Sequence, residues 1–282
     1  MNTETPQREI RSIVLFTLES FASSAAVAWL VENYPDAIPL VVVSRRFGGK
    51  YGSLLHQTRK NLRQSGWQFV LYTTLNIVVF KPFVYIFDIV NSLLGRTKKQ
   101  STLRQLCKRH NIQLLYTREV KASDVVETIK FHKPDLGLVA YFDHVISQEI
   151  IDIPTYGILN IHSALLPFYR GPFPALWPVV LGEQKGGVTI HFINNQLDEG
   201  EILFQQSIDY MESESILNME ARFILIGMRY IPKVIEGIIH NTLTKEPQNQ
   251  GNYYGFPTKR DLMKLDNAPH KLVSLGQYMR SF

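Results

Sequence analysis

The sequence predicts an α/β fold, with a doubly wound, mostly parallel sheet, a helical insertion and a short C-terminal extension. Three observations lead there. Short, wholly apolar runs recur, as parallel strands buried on both faces require. Helix-forming stretches separate them. The chain has 282 residues, 45% hydrophobic and 20% charged, enough for a full core and unlike a disordered or fibrous composition. Residues 13–16 form the first strand, and residues 22–31 a helix with Ser20, Ser23 or Ser24 as its cap. Residues 40–43 are a second apolar strand. Then follow a helix over 103–110, a strand over 112–116, a helix over 122–131 and a strand over 136–140. Residues 157–161 form another strand, and 188–192 and 202–208 flank a turn, as a hairpin or as neighbouring strands. Residues 213–240 read as one amphipathic helix interrupted or bounded by Pro232, and the tail from Thr244 is polar and turn-rich.

The single cysteine, Cys107, excludes an intramolecular disulfide and Cys-based metal sites, so no metal is expected. Residues 1–11 are polar and lead straight into the first strand without the apolar core of a signal peptide, which points to the cytoplasm. A net charge of +5 suits phosphate-bearing substrates and falls short of a dedicated nucleic-acid binder. The run Arg96, Thr97, Lys98, Lys99 reads as a solvated loop. Residues 67–94 are dense in aromatic and β-branched residues, but Lys81, Pro82 and Asp88 interrupt them, leaving no stretch clean enough to span a bilayer. They read as a buried or lid-forming helical insertion, with membrane-surface contact through 67–95 as the alternative.

Sheets of this kind bind ligands beyond the carboxyl ends of their strands. Asn160 and His162, two residues apart at the end of such a strand, leave it on the same face and can act on one atom. Asp198 stands on a glycine-bearing turn between two apolar strands. An amide, an imidazole and a carboxylate suffice for acyl transfer to an amine. The amide can donate to a developing oxyanion, where losing a donor costs about 3 to 4 kcal/mol. The imidazole can support that oxyanion or shuttle a proton, and the carboxylate can hold an imidazolium or accept the proton the amine loses. No Gly-x-Ser-x-Gly elbow offers a nucleophile. Each residue also has a plain reading, as a turn asparagine, a hydrogen-bonded core histidine and a turn aspartate.

The runs NIHSALLPFYRG (160–171), GVTIHFI (187–193) and LDEGEIL (197–203) resemble the signature of the 10-formyltetrahydrofolate-dependent formyltransferases, which act on methionyl-tRNA, glycinamide ribonucleotide or sugar amines. The resemblance covers residues 134–206 closely. It implies a Rossmann-like formyltransferase fold, Asn160, His162 and Asp198 as catalytic residues, and 10-formyltetrahydrofolate as co-substrate. It further implies folate binding, largely through backbone groups, by Phe142, Asp143, His144, Val145 and Ile146 and by Gln196, Leu197 and Gly200. His144 is a lesser catalytic candidate, and His191 reads as structural. The implied organisation is a catalytic domain over 1–210, carrying the insertion at about 67–95, followed by a C-terminal helix and tail over 211–282.

The sequence also departs from the family. After the first strand, the segment Leu18, Glu19, Ser20, Phe21, Ala22, Ser23, Ser24 lacks the glycines of the glycinamide ribonucleotide enzymes, which disfavours close backbone approach to a phosphate. The tail after Gln206 is too short and too helical for the nucleic-acid barrel of the tRNA enzymes, and residues 253–260 resemble a Tyr, Pro, Lys, Arg segment near the end of several family domains. The expected acceptor is a small or carrier-linked amine, first a nucleotide-linked amino sugar, with methionyl-tRNA as runner-up. A folate-binding protein without turnover is the reading outside enzymes. Oligomeric state is not legible.

Overall fold

In the computed structural model, residues 10–45, 52–93 and 101–281 are described. The N-terminal residues 1–9 and the basic run from Arg96 to Lys99 lie outside them. The first strand, β1 (Ile13–Thr17), leads into helix α1 (Phe21–Asn33), capped by the Ser20 hydroxyl, which accepts from the Ser23 amide. Strand β2 (Leu40–Ser44) is followed by α2 (Leu54–Gln64), then α3 (Trp67–Thr73), a π turn (Thr74–Val79) and α4 (Phe80–Leu93). Next come α5 (Leu103–Arg109), β3 (Gln113–Thr117), α6 (Ser123–His132), β4 (Leu136–Ala140), α7 (Gln148–Ile151) and β5 (Ile158–His162). The chain closes with α8 (Leu176–Val180), β6 (Lys185–Phe192), β7 (Ile202–Asp209), α9 (Ile216–Ile239), α10 (Lys259–Met263) and α11 (Leu275–Arg280).

The strands form one sheet in the order β3-β2-β1-β4-β5-β6-β7. Pairings from β3 to β5 are parallel, and β5-β6 and β6-β7 are antiparallel. The alternation of side chains along each strand divides the core in two. Leu15, Val41, Leu138 and Ile161 face the cluster shared with α1, α9 and the insertion, whereas Val14, Phe16, Val42 and Ile158 face α6 and α7. Both faces are covered, as the all-apolar strands require.

Two expectations change. Helix α9 continues through Pro232 without ending there. The stretch Trp67–Leu93 is one continuous helical segment, long and apolar enough by length and composition to cross a membrane, contrary to the reading that Lys81, Pro82 and Asp88 forbid it. Pro82 is tolerated because the carbonyl its ring would strike belongs to Val78, inside the π turn, where the backbone is widened. Lys81 is neutralised by Glu19 at 2.5 Å, and Asp88 accepts from Gln105 at 3.1 Å. In this structure the segment packs one face against the core through Phe69, Tyr72, Phe80 and Val84, while Tyr85, Ile86, Ile89 and Leu93 on α4 are exposed.

Helix α9 supports β5, the strand that carries Asn160 and His162, directly. A Cβ at Gly227 would lie 2.6 Å from Ile161 Cγ2 of β5 and 2.8 Å from Val188 Cγ2 of β6, so only glycine allows this approach. Gly227→Ala should therefore destabilise the protein by about 1–3 kcal/mol through overpacking, despite a helix-propensity gain of about 1 kcal/mol. Urea unfolding would measure this, and unchanged or increased stability would show that the contact yields.

Candidate active site

Asn160 and His162 stand at the carboxyl end of β5 on the face of Ile158, and antiparallel pairing puts His191 of β6 directly opposite Asn160. The His191 ring is tied at both nitrogens. Its Nδ1 donates to the Phe192 carbonyl at 2.8 Å, leaving Nε2 to accept from Asn160 Nδ2 at 3.0 Å. Burial pushes the His191 imidazole down to about 4, against the opposing pull of the nearby Asp198 carboxylate, so it is neutral at physiological pH. The Asn160 amide is thereby fixed with one N–H engaged and the other without a partner among the described residues.

His162 is buried, and its Nε2 donates to the Tyr169 carbonyl at 3.0 Å. A carbonyl can only accept, which assigns a proton to Nε2 and leaves Nδ1 facing Asp198 Oδ1, 3.8 Å away. The other Asp198 oxygen accepts from the Gly171 amide at 2.9 Å. Gly171 cannot be replaced without strain, since its φ is +117° and a Cβ would stand 2.2 Å from the Tyr254 carbonyl oxygen. Asp198 itself adopts a left-handed φ of 56°, a conformation aspartate tolerates better than most residues. The neighbouring Arg170 clamps this loop to the C-terminal segment. It donates to Glu199 at 2.7 Å, to Gln248 at 3.1 Å and to the Asn249 carbonyl at 3.2 Å.

These groups line a cavity of about 580 Å³. Asn160, His162 and Asp198 all border it, as do Phe142, Asp143, His144, Val145 and Leu197. Ile146, Gln196 and Gly200 do not line it. Ile146 is buried in the core beneath, Gln196 is exposed, and Gly200 packs so tightly on Phe192 that a Cβ would overlap the Phe192 carbonyl oxygen. His144 lines the cavity with its Nε2 bonded to Ser44 Oγ at 2.9 Å. From the segment 253–260, Tyr253 and Phe256 reach the cavity wall.

Sequence reasoning missed several wall residues. Helix α2 contributes His56, Gln57, Lys60 and Asn61, whose approach depends on tertiary docking alone. Glu220 carried a signal, because a carboxylate between Leu217 and Phe223 interrupts the apolar face of α9. It is buried, accepts from Tyr72 of α3 at 2.5 Å and is hydrogen-bonded by Ser163, the residue after His162. Burial pushes its carboxyl up to about 7, with both hydrogen bonds acting in the opposite direction. The Tyr72 hydroxyl is hydrogen-bonded in turn to Tyr141, which accepts from Asn76 at 2.6 Å.

The family model described as Formyl transferase matches residues 90–235, more than half of the chain and all three residues of this cluster. The chain belongs to the formyl transferase family. A methionyl-tRNA formyltransferase of Alkaliphilus metalliredigens is 35% identical over 157 residues, which cover 55% of this chain and 50% of that protein. This family member thus spans about half the length of the curated relative it matches. Among solved structures, WlaRD, a sugar 3N-formyl transferase in the presence of dTDP and 5-N-formyl-THF, superposes with a TM-score of 0.52 at 17% identity, covering 88% of this chain and 70% of that one. Glycinamide ribonucleotide transformylase 1 from Symbiobacterium toebii gives 0.55 at 14% identity, covering 87% and 100%. At those identities the likeness is one of fold, and it agrees with the sheet described above.

Two measurements test the site's supports. Glu220 holds its proton more tightly folded than unfolded, so its contribution is full below about pH 4.5 and is lost as pH rises through about 7. The loss is on the order of 3 kcal/mol. Thermal melts of wild type and Glu220→Gln should diverge over that range, the wild type weakening relative to the variant; parallel curves would mean that Glu220 does not titrate there. Arg170→Ala should leave the Asp198 loop tied to residues 248–249 only through the Gln248 bond to the Gly200 carbonyl and increase its hydrogen exchange by about tenfold or more, with the central strands unaffected.

Proposed function

We propose that this chain transfers a formyl group from 10-formyltetrahydrofolate to an amine, with Asn160, His162 and Asp198 as catalytic residues. One observation carries the reading: an amide, an imidazole and a carboxylate from separate segments border one cavity, with Asp198 set 3.8 Å from His162 and Asn160 locked by His191. The cavity also suits the carrier. Asp143 Oδ1 is buried there with no hydrogen-bond partner among the described residues, an acceptor for the N–H groups of a pteridine ring. Phe142, Asp143, His144, Val145 and Leu197 would hold that ring; Ile146, Gln196 and Gly200, set back from the cavity, would shape the loops. The bound folate supplies the formyl carbon.

The protein's own groups divide the remaining work. The second N–H of Asn160 donates to the carbonyl oxygen as negative charge develops on it, and because the amide is already oriented, little reorganisation is needed. Nδ1 of His162 can take a proton and, once charged, gains the Asp198 carboxylate as partner. Asp198, held in place by the Gly171 amide, takes up the one proton the amine loses as its nitrogen bonds to the formyl carbon, directly, through water or by way of His162; that proton passes to the folate nitrogen as its bond to the formyl carbon breaks and tetrahydrofolate leaves.

The acceptor we favour is a small or carrier-linked amine, first a nucleotide-linked amino sugar; a sugar 3N-formyl transferase, WlaRD, shares this fold. Methionyl-tRNA is the second reading, supported by 35% identity to an enzyme of that name. The deciding assay is release of tetrahydrofolate from 10-formyltetrahydrofolate against amino-sugar nucleotides, glycinamide ribonucleotide and charged initiator tRNA. His162→Ala, Asp198→Ala and Asn160→Ala should each lower turnover by about a hundredfold or more while keeping folate affinity. Near-normal turnover in any of them would remove that residue from its role, and folate binding without turnover on any acceptor would favour a binding protein.

A further inference from the structure

A second cavity, of about 560 Å³, opens beyond the carboxyl ends of β1, β2 and β3. Three cations from three separate elements border it: Arg45 directly after β2, Lys81 of α4 and Arg104 of α5. Glu19 is the one carboxylate among its lining residues, and it is already satisfied. Lys81 Nζ lies 2.5 Å from its Oε2, and the Leu103 amide donates to its Oε1 at 3.3 Å. Two guanidinium groups are left without an anionic partner among the described residues. Tyr116 lies beneath Arg45 and Lys81, which stand 5.0 Å and 5.8 Å from its ring centroid respectively. Both arginines also influence the Tyr116 hydroxyl electrostatically.

Apart from Ser44 the rest of the wall is apolar, including Leu54, Ile77 and Val78, and the volume lies in the range of sites for small organic molecules rather than bare ions. The cavity is also coupled to the catalytic one. Leu18 lines both, and Ser44, in this wall, is hydrogen-bonded to His144 in the other. Positive charge focused in a cleft with low-dielectric walls attracts anions. A planar carboxylate is satisfied by one guanidinium fork, whereas forks reaching in from two elements match the several oxygens of a tetrahedral group.

We propose that this cleft is a phosphate subsite, in which Arg45 and Arg104 hold the phosphate of a phosphorylated amine whose other end extends past Leu18 toward Asn160 and His162. The role in acceptor binding rests on the formyl-transfer reading; the affinity for phosphate does not. The phosphate is gripped by side chains, Lys81 of the insertion supporting the site by neutralising Glu19.

Calorimetric titration of the full chain with inorganic pyrophosphate tests the subsite without any turnover. Saturable binding is expected in the wild type, and the double variant Arg45→Gln/Arg104→Gln should lose affinity by about tenfold or more. Both arginines are exposed, so the thermal transition should be kept; Arg104→Glu is an independent variant that should abolish binding. Absence of pyrophosphate binding to the wild type, undiminished affinity in the variants, or equally tight binding of malonate would overturn the proposal. So would a loss of 10-formyltetrahydrofolate binding in the double variant, which would assign the cations to the folate tail. With a phosphorylated acceptor, the double variant should raise KM by about tenfold or more. If no acceptor is turned over, the formyl-transfer reading fails while the pyrophosphate titration still decides the subsite.

Discussion

The reversal of strand direction between β5 and β6 is the constraint on which the cluster of Asn160, His162 and Asp198 depends. A sheet that stayed parallel would deliver Asn160 and His162 to its ligand-binding edge and nothing more. Antiparallel pairing sets His191 across from Asn160, and the sharp return of the following loop against Phe192 brings Asp198 back to His162. Because His191 is buried and neutral, it can only complete a fixed pattern, donating to Phe192 and accepting from Asn160. A residue that resembles a core histidine thus orients the amide on which oxyanion stabilisation would rest.

Polar groups so deeply buried must be tied to one another or incur a desolvation cost. The cluster meets this demand through connections that reach far along the chain. Gly171 holds Asp198, Arg170 binds the same loop to residues 248–249, and Tyr254 stacks on Trp177 beneath. On the other face of β5, Ser163 links to Glu220 of α9 and through it to Tyr72. The helical stretch Trp67–Leu93 is therefore joined to the end of β5 by a buried carboxyl and not only by apolar packing. Its charged residue Lys81 serves the opposite end, beside Glu19.

Much of this was legible beforehand. The seven strands and helices α1, α5, α6 and α9 follow from apolar runs and their spacing, since a strand buried on both faces leaves little choice of composition, whereas α2, α7 and α8 carry no such signal. Asn160 and His162 were readable as a pair because a period of two fixes their common face, and Asp198 as a candidate because it stands on a glycine-bearing turn between two apolar strands. The continuity of Trp67–Leu93 was not readable, because a π turn is a local adjustment that no residue pattern announces, and Pro82 and Lys81 argued against it. The cavity-lining part of α2 was equally hidden, its polar residues looking like any solvated face.

The sequence by itself determined the seven strands, the longer helices that cover them and the common face of Asn160 and His162 at the end of β5. These rest on local periodicity and on the burial of apolar surface. Only the tertiary structure decided which polar groups meet: His191 with Asn160, Glu220 with Tyr72 and Ser163, and Arg45 with Lys81 and Arg104 around one cleft. Such pairings join residues up to well over a hundred positions apart, and their energies depend on distance and burial, which one-dimensional order does not contain.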